Sequence, residues 1–284
     1  MIKEVKTKTF GKVMYEMFNS ANEVVETGSR RNITSPSFSN MRDGNLGGHS
    51  ASWCGGVSTF EEAEKMMREG YQPTVDKMKA NIKANVNGQG KRISFFNDVV
   101  GYAPVVPLAL QGVPTAMQNA YMKPIKAKVL NVYYDMTASC GTKSEDIIEA
   151  GQKLLAAIME LEMQGYKFNL YAIQSYTGSK DVDILCTKIK NSNTPLDLKR
   201  ISFALTHTAY FRVIGFDWYS RCPKATYRGG YGHALGYDYD EKQMAEGFKE
   251  IFGENAVVFS CSKVINKNVE HLKEVMNDAG KGKK

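Results

Sequence analysis

The sequence predicts an α/β fold, with a doubly wound, Rossmann-like sheet that follows an irregular, partly helical N-terminal region. Two observations predict it. From about residue 126 onward, apolar strand-like runs alternate with helical segments, an order that places the strands in a central sheet covered by helices. Before that residue the sequence is rich in turn residues and its periodic segments are shorter. We therefore predict two regions, residues 1–125 and residues 126–284.

The composition is that of a soluble globular protein. Of the 284 residues, 43% are hydrophobic and 24% are charged, so a sizeable core is expected. The net charge of +7 makes contact with nucleic acid plausible without requiring it. The five cysteines are far apart and form no Cys-x-x-Cys pair, which argues against a zinc ribbon or a disulfide framework. No signal peptide and no apolar run of membrane-spanning length is seen, so we expect a protein of the cytoplasm without a membrane partner.

The N-terminal region contains three recognisable segments. Near its start, four apolar residues recur at helical spacing and indicate a possible amphipathic helix: Phe10, Val13, Met14 and Met17. The capping box Ser58–Glu61 predicts the start of a second helix that ends near Gly70. A connector interrupted by prolines and glycines, from Arg92 to Met122, includes a short strand and leads to the expected boundary near residue 125.

The C-terminal region has a cleaner periodicity. A largely apolar run over residues 128–134 is typical of a strand buried on both faces. A helix over residues 144–164 follows, and then two strands so close together that we expect a hairpin. The remaining predicted elements are a long helical segment (195–219), a helix (241–252), a late buried strand (256–261) and a closing helix (269–276).

Three oxygen-bearing side chains stand two residues apart directly after the first of these strands. Asp135, Thr137 and Ser139 can present a carboxylate and two hydroxyls to a common point. Mg²⁺ prefers such oxygen ligands in an octahedral array, so the spacing makes a Mg²⁺ site possible. The simpler interpretation is that these residues close a turn and cap the following helix, as such side chains often do.

The Asp135 motif resembles the D-x-[ST]-x-S signature of the von Willebrand factor A domain. The segment Thr194-Pro195-Leu196 is similar to the context in which that family supplies a further threonine ligand. The resemblance therefore implies a von Willebrand factor A-like fold and the metal ligands Asp135, Thr137, Ser139 and Thr194. It departs from the family pattern at the late strand, which ends in Ser260-Cys261-Ser262 where an aspartate is expected.

A second resemblance covers roughly residues 50 to 275. The segments Ser58–Ala63 and Arg68–Tyr71, then Asp98–Tyr102 and Leu110–Pro114, look like those of a family of uncharacterised phage and phage-like bacterial proteins. That family joins such an N-terminal region to a von Willebrand factor A-like half. The resemblance implies an origin and a fold and no particular reaction.

The best candidate for contact with nucleic acid is a glycine- and tyrosine-rich segment. Tyr227, Arg228 and Tyr231 combine aromatic rings with a cation, which suits stacking on the bases of single-stranded DNA. The segment lacks the preceding strand and the lysine of a phosphate-binding loop. The alternative is a glycine-rich turn whose aromatic rings cover the edge of the domain.

No catalytic residues can be assigned from the sequence. The four histidines show no spacing that pairs one of them with a nucleophile, and no second carboxylate cluster completes a two-metal hydrolytic site. The sequence thus favours a non-enzymatic protein-interaction or scaffold module, phage-encoded, with another protein as its partner. The alternative is a single-stranded DNA-binding accessory protein in phage replication or transcription.

Overall fold

The central feature of the molecule is one mixed β-sheet with helices packed against it. The computed structural model describes residues 2–77, 93–122, 128–178, 181–226 and 231–281. The strands are β1 (Ile2–Thr7), β2 (Gly11–Phe18), β3 (Ile93–Asp98), β4 (Ala103–Pro104), β5 (Met117–Met122), β6 (Lys128–Asp135), β7 (Tyr166–Gly178), β8 (Asp181–Lys190), β9 (His233–Ala234) and β10 (Ala256–Ser260). The predicted α/β class is confirmed.

The helices come mostly from the C-terminal region. They are α1 (Ala21–Ser29), α2 (Phe60–Glu69), α3 (Val106–Leu110), α4 (Ser144–Met163), α5 (Leu198–Thr206), α6 (Phe216–Arg221), α7 (Leu235–Asp238), α8 (Glu241–Phe252), α9 (Cys261–Val264) and α10 (Val269–Lys281), with a π-helical turn at Tyr210–Gly215. None of the helices in the described ranges is long and apolar enough to cross a membrane.

The strand order of the main sheet is β1-β2-β8-β7-β6-β10, with the short β9 added to β7. Strands β6, β7 and β10 are parallel to one another, whereas β8 is antiparallel to β7, as the predicted hairpin requires. Strand β2 is parallel to β8 and carries β1 as an antiparallel edge strand. The carboxyl ends of β6, β7 and β10 therefore lie at one edge of the sheet, called the Asp135 edge below.

Strands from both predicted regions belong to this sheet. One face packs against most of the helices and forms the larger core, while the other face is covered mainly by α8. The predicted N-terminal helix at Phe10–Met17 is wrong, because this segment is β2. Val13 and Tyr15 lie in the smaller core and Met14 in the larger one, so apolar residues serve both faces of a strand.

Three further sequence predictions differ in detail from the structure. Helix α2 begins at Phe60 as expected, but its N-cap is Thr59, whose side chain accepts a hydrogen bond from the Glu62 backbone N–H. The predicted long helical segment is interrupted at His207, after α5, and resumes as the π-helical turn and α6. The proline-spaced connector forms a separate three-stranded sheet in the order β3-β5-β4.

Candidate functional site

The carboxylate of Asp135 lies at the end of β6 and is completely buried. Its Oδ1 accepts hydrogen bonds from the Thr137 backbone N–H (3.1 Å) and hydroxyl (2.7 Å), and from the Ser175 backbone N–H (3.3 Å). Its Oδ2 accepts a short hydrogen bond from the Ser175 hydroxyl. Burial raises the pKa of Asp135 to about 6, although these four hydrogen bonds act in the opposite direction. The loop is thus anchored by an internal carboxylate that only uncharged groups satisfy.

Ser139, the third residue of the motif, belongs to the next turn of the loop. Its hydroxyl accepts from the Gly141 backbone N–H (3.3 Å), and its own N–H donates to the Tyr237 hydroxyl (3.4 Å). Ser139 is half-buried, whereas Asp135 and Thr137 are fully buried. The turn-closing role expected of short polar side chains is therefore present at all three positions. The expected cap on the following helix is wrong, because the N-cap of α4 is Lys143, which makes no side-chain capping hydrogen bond.

Thr194 is not brought to Asp135. It is exposed in the loop after β8, and its hydroxyl donates to the Asn191 carbonyl (2.9 Å). Two residues earlier, the Ser192 N–H donates to the side chain of Asn169, which lies opposite Asn131 in the first half of β6. Because β8 is antiparallel to β7, its carboxyl end reaches the opposite edge of the sheet. The pairing of Thr194 with the Asp135 motif therefore fails for a topological reason.

Ser260 occupies the position beside Asp135 on the neighbouring strand. The two residues are paired in the register of β10 with β6. The Ser260 hydroxyl shares a hydrogen bond with that of Ser262 (2.9 Å), and a Cβ added to Gly236 would lie 2.3 Å from the Ser260 oxygen. A hydroxyl pair covered closely by backbone thus stands where the resemblance leads one to expect a carboxylate.

A buried cation supports the Asp135 loop from the other side. The guanidinium of Arg212, in the π-helical turn, donates to the carbonyls of Thr142 (2.7 Å), Ser139 (3.2 Å) and Trp53 (2.7 Å). It also lies 4.4 Å from the centroid of the Trp53 ring. Burial lowers the pKa of Arg212 to about 10, so the side chain keeps its charge at neutral pH. The sequence signal for this residue is a lone arginine within the apolar run Tyr-Phe-Arg-Val-Ile-Gly.

A loop from the N-terminal region covers the same edge. The Trp53 indole N–H donates to the Cys140 carbonyl (2.9 Å), and the Ser144 hydroxyl lies 2.8 Å from the Ser52 carbonyl and 3.0 Å from that of Trp53. These contacts join residues that are about ninety positions apart in the chain. The Asp135 edge is therefore built by both regions of the sequence.

These residues do not fit a divalent ion. Hydroxyl and amide hydrogens already point at both oxygens of Asp135, Thr194 lies at the opposite edge, and Ser260 supplies no second negative charge. Within the described ranges, no three histidine, cysteine, aspartate or glutamate side chains come together as a metal-binding group. Arg212 places a fixed positive charge on the same loop, which opposes a second cation nearby.

An aromatic cavity of about 200 Å³ opens at this edge, next to Thr137 and Ala138. One wall is His49 stacked on Trp53, with ring centroids 4.6 Å apart. Another is Tyr231 stacked on Phe216 at 3.8 Å. The volume is below the roughly 300–1,000 Å³ typical of small-molecule sites, and it suits one inserted side chain better than a cofactor.

The nucleic-acid candidate residues are only partly described. Tyr227 and Arg228 lie outside the described residues. Tyr231 uses one ring face on Phe216 and donates its hydroxyl to the Ser39 carbonyl (3.3 Å), and burial raises the pKa of this hydroxyl. The Tyr231 ring is thus a wall of the cavity, and binding of single-stranded DNA by this segment stays a prediction.

His207 shows no catalytic environment. It is completely buried, its Nδ1 accepts from the Ala209 N–H (3.1 Å), and burial lowers its pKa to about 4. The ring is therefore neutral at physiological pH, with its remaining proton on Nε2. Its edge contacts Gly55, where an added Cβ would lie 3.0 Å from the ring.

Comparison with known proteins identifies the family to which the chain belongs. The chain matches, over residues 3–274, the family described as "Domain of unknown function (DUF7192)", and it belongs to that family. No curated protein and no solved structure matches it.

Proposed function

We propose that this member of the DUF7192 family is a non-enzymatic protein-interaction module, phage-encoded and acting in the host cytoplasm, whose C-terminal half is von Willebrand factor A-like. The observation that carries the proposal is the aromatic cavity at the Asp135 edge, formed where loops of both regions meet. Buried, desolvated pockets that accept an aromatic or apolar side chain are the usual energetic centres of protein interfaces. The expected partner is another protein that inserts such a side chain.

The von Willebrand factor A-like part of the proposal rests on topology and on the motif. The segment β8-β7-β6-β10 has an antiparallel hairpin at one side and parallel strands at the other, with α4 connecting β6 to β7. The D-x-T-x-S loop follows β6, at the carboxyl edge of these strands. Ligand sites of open α/β sheets lie at that edge.

The proposed mode of binding does not need a divalent ion. Arg212 already holds the loop through the carbonyls of Ser139 and Thr142. Recognition then depends on the aromatic and apolar walls of the cavity. Whether Asp135 binds Mg²⁺ is tested by the stability of the fold in Mg²⁺.

Selection of random peptides on the full-length chain tests the proposal. Peptides displayed on a library are selected, synthesised and measured by fluorescence polarisation against three proteins: wild type, Ala138→Phe and Ala245→Phe. Ala138 lines the cavity, so the larger side chain should fill it, whereas Ala245 lies on α8 in a separate groove and receives the same substitution.

We expect peptides with an aromatic or large apolar anchor that lose at least about tenfold in affinity on Ala138→Phe, equivalent to about 1.4 kcal/mol, and nothing on Ala245→Phe. His49→Ala, which removes part of one wall, should weaken the same peptides, and circular dichroism checks the fold of each variant. A selection that yields no binder, or only binders that wild type and Ala138→Phe hold equally, would overturn the proposal.

A further inference from the structure

The free side of β10 forms the floor of a second groove, away from the Asp135 edge cavity. Among the described strands β10 pairs only with β6, and it ends the sheet on that side. The groove has a volume of about 350 Å³ and lies between α8 and α10, which cover opposite faces of the sheet. Its position is that of one further strand added to β10.

The walls of this groove are apolar. Met244 and Ala245 of α8 line one side, and Leu272 and Val275 of α10 line the other, with Val258 of β10 on the floor. An extended segment laid along β10 would point alternate side chains at the two helices, since successive residues of a strand face opposite sides. Apolar side chains would therefore be accommodated on both faces of such a segment.

The two edge strands of the sheet differ in their protection against strand addition. Strand β1, Ile2–Thr7, includes Lys3, Glu4 and Lys6, and charges on an edge strand discourage pairing with another chain. Strand β10 has the sequence Ala-Val-Val-Phe-Ser and contains no charged residue. Of these two outer strands, β10 is thus the one whose sequence permits an added strand.

The rim of the groove is basic. Lys242, Lys263 and Lys267 line it together with a single carboxylate, Glu241. Glu241 forms an ion pair with Lys267 at 3.4 Å, and Lys242 forms one with Glu246 at 3.9 Å; such solvent-exposed pairs are weak. The remaining positive charge favours an occupant with acidic residues beside its apolar centre, because charge complementarity selects the partner and speeds encounter.

We propose that β10 accepts an extended, apolar peptide segment with acidic flanks from a partner protein, which adds a strand to the central sheet. Backbone hydrogen bonds to β10 supply affinity, and the walls formed by α8 and α10 select the side chains. This surface is separate from the Asp135 edge cavity, so the two proposals stand or fall independently.

The probe is a fluorescent nine-residue peptide with a Val-Thr-Val-Ile-Val centre and two glutamates at each end, titrated with the full-length chain. We expect saturable binding that Ala245→Phe abolishes and Ala138→Phe leaves unchanged. Lys263→Glu should weaken binding at least about fivefold at low ionic strength, because the reversal removes one nearby positive charge, worth about 1 kcal/mol, and adds a negative one. The matched control, Lys3→Glu on β1, should have no effect.

Two N-methylated peptides test the pairing itself. Alternate residues of a strand direct their N–H groups to opposite sides, so methylation along one edge should abolish binding and methylation along the other should leave it intact. Equal binding of both methylated peptides, no binding of the parent peptide, or indifference to Ala245→Phe would overturn the inference. A dimer of the chain that Ala245→Phe disrupts in sedimentation velocity would also overturn it, since the occupant would then be a second copy.

Discussion

Asp135 and Asp217 are both buried carboxylates, but the protein satisfies them in opposite ways. Among the described residues, Asp135 accepts hydrogen bonds only from the N–H and hydroxyl groups of Thr137 and Ser175. Asp217, on α6, is 2% exposed and lies between Arg42 and Arg221. The hydrogen bonds to Asp135 offset only part of the effect of burial, so its pKa rises. Asp135 thus anchors a loop at a cost in folding stability at neutral pH. Asp217 is instead the centre of an ionic network that joins distant segments of the chain.

The Asp217 network fastens the N-terminal region to the C-terminal half. Arg42 donates to Asp217 (2.9 Å) and to the Val25 carbonyl (3.0 Å), and its guanidinium lies 4.1 Å from the Phe60 ring centroid. Arg221 donates to the other oxygen of Asp217 (2.8 Å) and to the Arg31 carbonyl (2.8 Å). One carboxylate thereby orients two arginines that hold α1 and the loop leading to α2.

The largest effect is expected from Asp217→Ala. The substitution leaves two partly buried guanidinium groups without their counter-ion, and breaking a buried pair in this way costs about 3–5 kcal/mol. Urea unfolding at pH 7 measures the loss. Glu254→Gln, at an exposed position in the turn before β10, is the control and should be neutral. A loss below about 1 kcal/mol would place the network among weak surface pairs.

The next largest effect is expected from Asp135→Asn, which should raise the stability of the fold. Burial raises the pKa of Asp135 from 3.8 to about 6, so the folded protein binds this proton more tightly than the unfolded chain does. The charged form therefore destabilises the fold at neutral pH by roughly 3 kcal/mol, at about 1.4 kcal/mol per pKa unit. Asp135→Asn should stabilise the chain above pH 6, and the gain should shrink as the pH falls from about 6 to 4. Urea unfolding of both proteins across this range checks the sign, and a loss of stability at pH 7.5 would contradict it.

Glu16→Gln is the matched control for that experiment. Burial alone would raise the pKa of Glu16, but hydrogen bonds from Arg31 and Trp218 outweigh it and lower the pKa. The stabilisation from charged Glu16 is thus present above about pH 4.5 and is lost as the pH falls further. The Glu16→Gln substitution should cost stability at every pH between about 5 and 8, a flat profile where Asp135→Asn gives a sloping one.

The sequence could predict the elements that depend on local patterns. The alternation after residue 126, helix α2 and the β7–β8 hairpin all follow from periodicity and turn residues, and the structure confirms them. Segment Phe10–Phe18 could not be read in the same way. A strand buried on both faces spaces its apolar residues without a two-residue period, so its neighbours β1 and β8 decide its form.

The same difference between local sequence patterns and distant contacts applies to the candidate site. Asp135, Thr137 and Ser139 are close in sequence, and a local motif was enough to find them. Arg212 contacts that loop from 73 positions away and Trp53 from 87, through hydrogen bonds that only the folded chain creates. The sequence pattern does not show at which end of the sheet the loop after β8 lies. It therefore groups Thr194 with Asp135, although the antiparallel β8 carries Thr194 to the opposite end.

The smallest expected effect is that of Mg²⁺ on stability. A site with a dissociation constant near 1 mM would stabilise the fold by about 1.4 kcal/mol at about 10 mM Mg²⁺. For a chain of this size that corresponds to a rise of a few degrees in Tm, at about 2–4 °C per kcal/mol. We expect no rise relative to NaCl of matched ionic strength, because Arg212 repels a second cation and Asp135 is already bonded on both oxygens. A rise that Asp135→Asn abolishes would restore the metal site. It would also mean that the Asp135 hydrogen bonds rearrange when the ion enters, since the carboxylate must turn from hydroxyl donors to a metal or to its bound water.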